Sequence, residues 1–194
     1  MTERNAPSAT RVVLADGSEA MVRHVAAADR PAVERLFATA RPVDLYTRFF
    51  SVGTAVVDLH VEHMFSSGAT VMSYVVERAG SLLGIADVEP VGEHTAEVAF
   101  LVADGAHGLG IATLLLERAA QDAWDRGITT FVADVLAVNH PMIEVFRDAG
   151  FEVGLHIERD GVSVRMSTCR TPEVQAATAA RHASAVAHQG SKGS

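Results

Sequence analysis

Lysine is almost missing from this chain. Of its 194 residues only Lys192 is one, and the rest of its 16 basic residues are arginines. Against 24 acidic residues this leaves a net charge of −8. A nucleic-acid partner is excluded on that balance, because such a surface needs a basic stripe. The arginine bias itself reads as genomic composition. An acidic surface favours a basic substrate through long-range steering. Cysteine is as scarce: Cys169 stands alone, so no internal disulfide forms, which fits a reducing compartment. No apolar run is long enough to span a bilayer. Residues 1–10 are polar and lack the apolar stretch of a secretory signal. The expectation is a cytoplasmic protein with no membrane partner.

What is present suits a soluble globular domain: 48% hydrophobic and 21% charged residues. Two short extended runs, 11–14 and 19–25, flank Asp16-Gly17, a hairpin signal. Asp29 stands where a helix N-cap belongs, with Pro31 in the first turn and Val33, Leu36 and Phe37 at helical spacing. Arg41-Pro42 breaks that helix, and 43–50 and 56–65 read as two more. Residues 70–78 and 82–88 form a β hairpin around Gly80, and 95–103 is a further strand. A helix over 113–125 carries Leu114, Leu115, Ala119 and Trp124 on one side. A strand over 129–136, a helix over 141–149 closed by Gly150, and a hairpin of 151–158 and 162–166 turning at Asp160-Gly161 complete the order. This mixture gives an α+β (mixed α/β) domain around one central sheet. The expected organisation is a flexible N-terminus over 1–10, a domain over 11–170, and an Ala-rich linker or disordered tail over 171–194, with at most a loose helix over 173–188.

His107-Gly108-Leu109-Gly110-Ile111-Ala112 lies between a strand and a helix. Glycines there leave backbone N–H groups bare at the positive end of the helix dipole, a seat for phosphate. Gly108 and Gly110 lack Cβ, so the backbone can approach a diphosphate. A tight strand-to-helix turn is the plainer reading of the same two glycines.

The element order and this loop resemble the GNAT superfamily of acyl-CoA-dependent N-acetyltransferases, whose cofactor loop runs Gln/Arg-x-x-Gly-x-Gly/Ala. The match is complete except that His107 replaces Gln or Arg, a side-chain change that leaves the backbone cradle intact. A second match runs from Asn139 to Gly150-Phe151. The resemblance covers about residues 11–167 and implies a mostly antiparallel central sheet with helices on both faces. It implies acetyl-CoA as acyl donor and no metal. Phe100, Leu101, Val102, His107, Gly108, Leu109, Gly110, Ile111, Ala112 and Asn139 would then hold the donor. The strand residues would offer backbone groups to pantetheine as one more strand would. Within the superfamily, the segment from Arg41-Pro42 to Arg48-Phe49-Phe50 and the stretch Ala96-Glu97-Val98-Ala99-Phe100 are similar to bacterial Pat-type protein lysine acetyltransferases. That group acetylates the active-site lysine of AMP-forming acyl-CoA synthetases such as acetyl-CoA synthetase. Many of its members carry a further large domain for which this chain has no room. The Ala-rich tail then reads as the start of a linker in a longer parent protein.

Acetyl transfer to lysine needs a base, because an amine of pKa about 10.4 is roughly one part in a thousand nucleophilic near neutral pH. Glu97 is the candidate. A carboxylate in an apolar strand is costly unless used or paired, and burial would suit it to proton abstraction. A residue on the wet face of a strand is the competing reading. Phe146 stands where many GNAT enzymes have a tyrosine that protonates the departing thiolate. Phenylalanine has no proton to give, so a core role is expected. Asn139 reads equally as an N-cap and as a cofactor contact. Glu93, His94 and Arg48 are placed on the surface. His60 and His63, at i, i+3 with no third ligand, do not read as a metal site. Cys169 has no neighbour that would activate it. A Rossmann reading fails because Thr113 stands where the fingerprint needs Gly or Ala. Two alternatives stay open: a small-molecule amine as acceptor, and a non-catalytic acyl-CoA-binding module.

Overall fold

The computed structural model describes residues 9–50, 55–137, 139–157 and 161–191. Eight strands form one sheet: β1 (Thr10–Val13), β2 (Glu19–His24), β3 (Met72–Arg78), β4 (Ser81–Pro90), β5 (Thr95–Val102), β6 (Thr130–Val135), β7 (Val153–Ile157) and β8 (Val162–Ser167). Their order is β1-β2-β3-β4-β5-β6-β8-β7. Every neighbouring pair is antiparallel except β5 and β6, which run parallel. Among the described residues six α-helices accompany them: α1 (Arg30–Thr39), α2 (Pro42–Phe49), α3 (Ala55–Phe65), α4 (Ile111–Asp125), α5 (His140–Asp148) and α6 (Pro172–Ser191). The expected mixed sheet with helices on both faces is present. Part of the Asp160-Gly161 turn lies outside the described residues.

Strand alternation sorts the core into two halves. Val75, Ile85 and Leu101 point to one face, where Val33, Leu36 and Phe37 of α1 and Val57 and Val61 of α3 cover them. Their neighbours Tyr74, Val76 and Ala86, with Val98 earlier in β5, point to the other face, beneath Leu115, Leu116 and Ala119 of α4 and Phe146 of α5. Adjacent residues thus belong to different cores, and the sheet separates them.

Two local expectations are corrected. Asp29 does not cap α1 with its side chain. A 3-10 turn, Ala27–Asp29, precedes the helix, so the carboxylate caps one turn earlier, accepting from the Ala26 N–H at 2.7 Å. It also accepts both Nη groups of Arg23 at 2.6 and 2.9 Å. Trp124 is exposed, and Ala123 takes the buried position at the end of the α4 stripe. Where the sequence leaves open a linker, a disordered tail or a loose helix, the structure holds α6. It buries Val174 and Ala185. Arg181 of α6 donates to the Asp148 carbonyl at 2.8 Å and pairs with Glu117 of α4.

One contact fixes the start of α4. Gly84 of β4 lies under Ile111, so closely that a Cβ at position 84 would come within 2.7 Å of Ile111 Cγ2 and 3.0 Å of the Leu101 carbonyl. Only glycine lets the first turn of α4 rest on strand backbone here. Gly84→Ala is expected to lower stability by about 1–3 kcal/mol, as overpacking of a filled core does. Urea unfolding of the two proteins measures this, and equal midpoints would contradict the contact.

Candidate active site

β5 and β6 pair over three rungs only: Thr95 with Thr130, Ala96 with Phe131, and Glu97 with Val132. Beyond Glu97 they part. β6 follows β8 as far as Val135, and β5 follows β4 as far as Val102. The edge of β5 that faces β6 has no ladder partner from Val98 onward among the described residues. A cleft of about 390 Å³ opens there. Phe100, Leu101 and Val102 line its floor, the glycine loop closes one end, and Asn139, Met142 and Val145 form a wall. Asp44 and Thr47 of α2 face them.

The glycine loop has the backbone that the sequence implies. Gly108 and Gly110 have φ of +76° and +79°, a left-handed conformation that other residues rarely adopt. Gly110 is the N-cap of α4, and no side chain caps the helix. The N–H groups of the first turn have no intrahelical acceptor, and the positive end of the helix dipole faces the same way. A Cβ at either glycine would meet nothing within 4 Å, so the space in front of the loop is open. Bare donors, positive dipole and open space together fit a diphosphate. The unpaired β5 edge fits the amides of an extended pantetheine arm.

His107, Gly108, Gly110, Ile111, Ala112 and Asn139 all line this cleft with the three β5 residues. Leu109 does not. Its side chain packs on the core beneath α4, and its carbonyl accepts from the Ala15 N–H at 3.2 Å, which pins the loop to the β1–β2 turn. Asn139 caps α5 by accepting from the Met142 N–H at 3.3 Å, and it also lines the cleft. Phe146 is buried and meets Phe100 edge to face, with centroids 6.1 Å apart. Glu97 is exposed and lies outside the cleft. Burial expected of a charge in an apolar strand is absent, because alternation turns position 97 to the sheet face beyond the helices that cover Leu101. Its cross-strand partner is Glu89, also exposed, so two carboxylates stand opposite each other on that face.

Other cleft residues are not legible in the sequence. Asp44 accepts two hydrogen bonds from Arg41, at 2.8 and 3.0 Å, and lies 4.0 Å from His107 Nε2. Arg41 also reaches Asp104 at 3.1 Å, so charged pairs strap α2 to the loop after β5. Behind α2 lies a buried cluster. Asp87 of β4, only 4% exposed, accepts from Arg48 Nη2 at 2.7 Å and Ser73 Oγ at 2.5 Å, and contacts His60 Nε2 at 2.9 Å. Arg48, expected on the surface, is therefore buried, because α2 turns it inward to this carboxylate. Glu93 and His94 are exposed, as expected. His63 stands 3.5 Å from Glu89, apart from His60 and its partner Asp87. Among the described residues no group of three or more potential metal ligands occurs.

The family model described as the acetyltransferase (GNAT) family matches residues 41–151, more than half of the chain. The GNAT domain of PAT from S. lividans is 29% identical, over 82% of this chain and 96% of that one, with a TM-score of 0.74. A ribosomal-protein-alanine N-acetyltransferase from Brucella melitensis is 25% identical, over 75% and 97%, with a TM-score of 0.59. RimJ of Mycobacterium smegmatis, in complex with CoA-disulfide, is 19% identical, over 90% and 94%, with a TM-score of 0.64. At that identity the last likeness speaks for the fold alone.

The Asp87 cluster sets a pH dependence. Burial alone would push the Asp87 carboxyl up, but hydrogen bonds from His60 and Ser73 and the charge of Arg48 outweigh it and hold it below the usual carboxylate range. A carboxyl held low in the folded chain adds stability above its ordinary value near ~3.9, and that stability is lost as pH falls through the folded value. Asp87→Ala leaves Arg48 buried without its counter-ion and is expected to cost about 3–5 kcal/mol at neutral pH. Asp87→Asn should also be destabilised there, with its stability falling less than the wild type's as pH drops below about 4. Denaturant midpoints across pH measure both. Parallel pH curves for wild type and the Asp87→Asn variant would contradict the assignment.

Proposed function

This chain belongs to the GNAT acetyltransferase family, and on that footing we propose that it acetylates lysine side chains of a partner protein, specifically the active-site lysine of AMP-forming acyl-CoA synthetases. The donor is acetyl-CoA, as in the family, and the chain is an acetyl-CoA-dependent N-acetyltransferase. The observation that carries the reading is the uncapped left-handed glycine loop opening onto the unpaired edge of β5. The choice of acceptor rests on two further supports. The segment from Arg41 to Phe50 resembles Pat-type enzymes, and the chain is similar to the GNAT domain of S. lividans PAT. We assign the catalytic domain to residues 11–170. We place the activity in the cytoplasm, in keeping with the single cysteine; among the described residues no helix is long and apolar enough to cross a membrane.

Backbone N–H groups of the glycine loop and the α4 terminus hold the diphosphate. Phe100, Leu101 and Val102 align the pantetheine arm through backbone groups, and an N–H on that edge faces the carbonyl oxygen as it gains charge. Glu97 and Glu89 attract the lysine ammonium along the sheet face. Glu97 takes its proton through water. Position 97 lies four residues, about 13 Å of strand, from Leu101, too far for direct transfer from an amine at the cleft floor. The neutral amine attacks the carbonyl carbon, the C–N bond forms, the C–S bond breaks, and the thiolate leaves. Phe146 supplies no proton, and a thiol of pKa about 8.5 is acidic enough to leave as thiolate.

Gly110→Asp puts a side chain and a negative charge where the diphosphate sits, in a backbone conformation that strains any residue with a Cβ. Calorimetry should show acetyl-CoA binding lost; affinity within a few-fold of wild type would remove the loop from the site. Glu97→Gln should cut turnover by about 10²–10⁴-fold with donor binding intact, and the defect should shrink as pH rises toward the amine's own value. Mass spectrometry of acetylated synthetase across pH follows both proteins. A near wild-type rate at neutral pH would shift the proton to the cleft pair Asp44 and His107. No acetylated synthetase lysine, with free amines acetylated instead, would overturn the protein acceptor.

A further inference from the structure

Behind the glycine loop lies a second cavity, larger than the donor cleft, of about 680 Å³. Small-molecule sites typically occupy about 300–1,000 Å³. It is a half-open cavity bordered by β1, α4 and the inner side of α6. Val12, Leu109, Leu114, Phe151 and Val174 give it an apolar lining. Its polar edge is basic: Arg11, Arg118, Arg170 and Arg181 line it with His182, against one carboxylate, Glu117. This concentration of positive charge stands out in a chain of net charge −8.

Most of these groups are engaged. Glu117 is paired with Arg181, and Arg118 lies 3.2 Å from Asp122. Arg11 reaches Glu19 at 3.6 Å on the surface. The guanidinium of Arg170, at the head of α6, has no hydrogen bond or ion pair among the described residues. An apolar chamber with a free guanidinium at its edge matches a ligand with an aliphatic body and an anionic head. A planar carboxylate suits a guanidinium, which it can engage with two parallel hydrogen bonds.

We propose that this cavity is a binding site for an aliphatic carboxylate, its chain against Val12, Leu114 and Val174 and its carboxylate at Arg170. Gly110 and Thr113 line both this cavity and the donor cleft, so the two sites share a wall. An occupant that shifts this wall changes acetyl-CoA affinity, and acetyl-CoA changes the occupant's affinity by the same factor. The binding site itself does not depend on the acceptor proposed above.

Calorimetry with decanoate, held below its micellar concentration, is the test, with decylammonium as the control for charge. Decanoate is expected to bind saturably and decylammonium not. Arg170→Glu, a change at an exposed position outside the donor cleft, should weaken decanoate at least tenfold while acetyl-CoA affinity measured alone stays the same. Ala185→Trp fills the chamber and should abolish decanoate binding; Arg170→Glu decides the matter if the tryptophan variant does not fold. With both ligands present, decanoate and acetyl-CoA should bind together, each shifting the other's affinity equally. Equal binding of decylammonium, no saturable decanoate binding, or an unchanged affinity in Arg170→Glu would overturn the site. So would one-for-one competition with acetyl-CoA, which would place decanoate in the donor cleft. Failure of Glu97→Gln or of synthetase acetylation leaves these binding outcomes as they are.

Discussion

The ladder between β5 and β6 ends after three rungs, and the site follows from that ending. Each strand is held on its far side by an antiparallel neighbour, β5 by β4 and β6 by β8. Sheet twist then carries them apart once the parallel pairing stops. The exposed edge of β5 is a row of unsatisfied donors and acceptors, which natural proteins normally cover or blunt. Here it lines a cleft. A ligand with spaced amides satisfies that row, which is why a gap in a sheet becomes a substrate channel rather than a defect.

The gap would be useless without a fixed anion seat at its end, and packing supplies the fixing. The first turn of α4 rests on β4 where Gly84 removes the intervening Cβ. The Leu109 carbonyl ties the loop to the β1–β2 turn. On the opposite side, Arg48 carries the inner face of α2 onto Asp87. α2 packs Leu45 and Phe49 only part-buried against the core beneath it, so this ion pair and the Arg41, Asp44 and Asp104 strap reinforce a thin apolar contact. Buried ion pairs add little net stability, but they are demanding about geometry. That suits a helix whose Asp44 and Thr47 face the cleft.

Features set by a few neighbouring residues are legible in the sequence. The strand and helix pattern, the glycine loop, the cap at Asn139 and the core place of Phe146 all follow from spacing and residue type. Features set by distant partners are not. Nothing near Arg48 in sequence announces Asp87, 39 residues away. The apolar neighbours of Glu97 argue for burial, yet strand alternation and the extent of the covering helices leave it in water. Leu109 shares a motif with Gly108 and Gly110 but faces the core, since a left-handed residue on each side turns it over. The Ala-rich end carries too little apolar bulk to announce a docked helix. That helix is held by two small buried residues and by Arg181, which no hydrophobic pattern reveals.

That arginine has a mechanical consequence. From α6 it grips the Asp148 carbonyl at the end of α5 and the Glu117 carboxylate midway along α4. α5 gives the cleft a wall, and the start of α4 closes one end of it. Arg181 therefore acts as a tie bar behind the two, and α6 is its handle. The spacing of that wall and that end is set in part from outside them, so any load borne by α6 is felt as a change in the shape of the cleft.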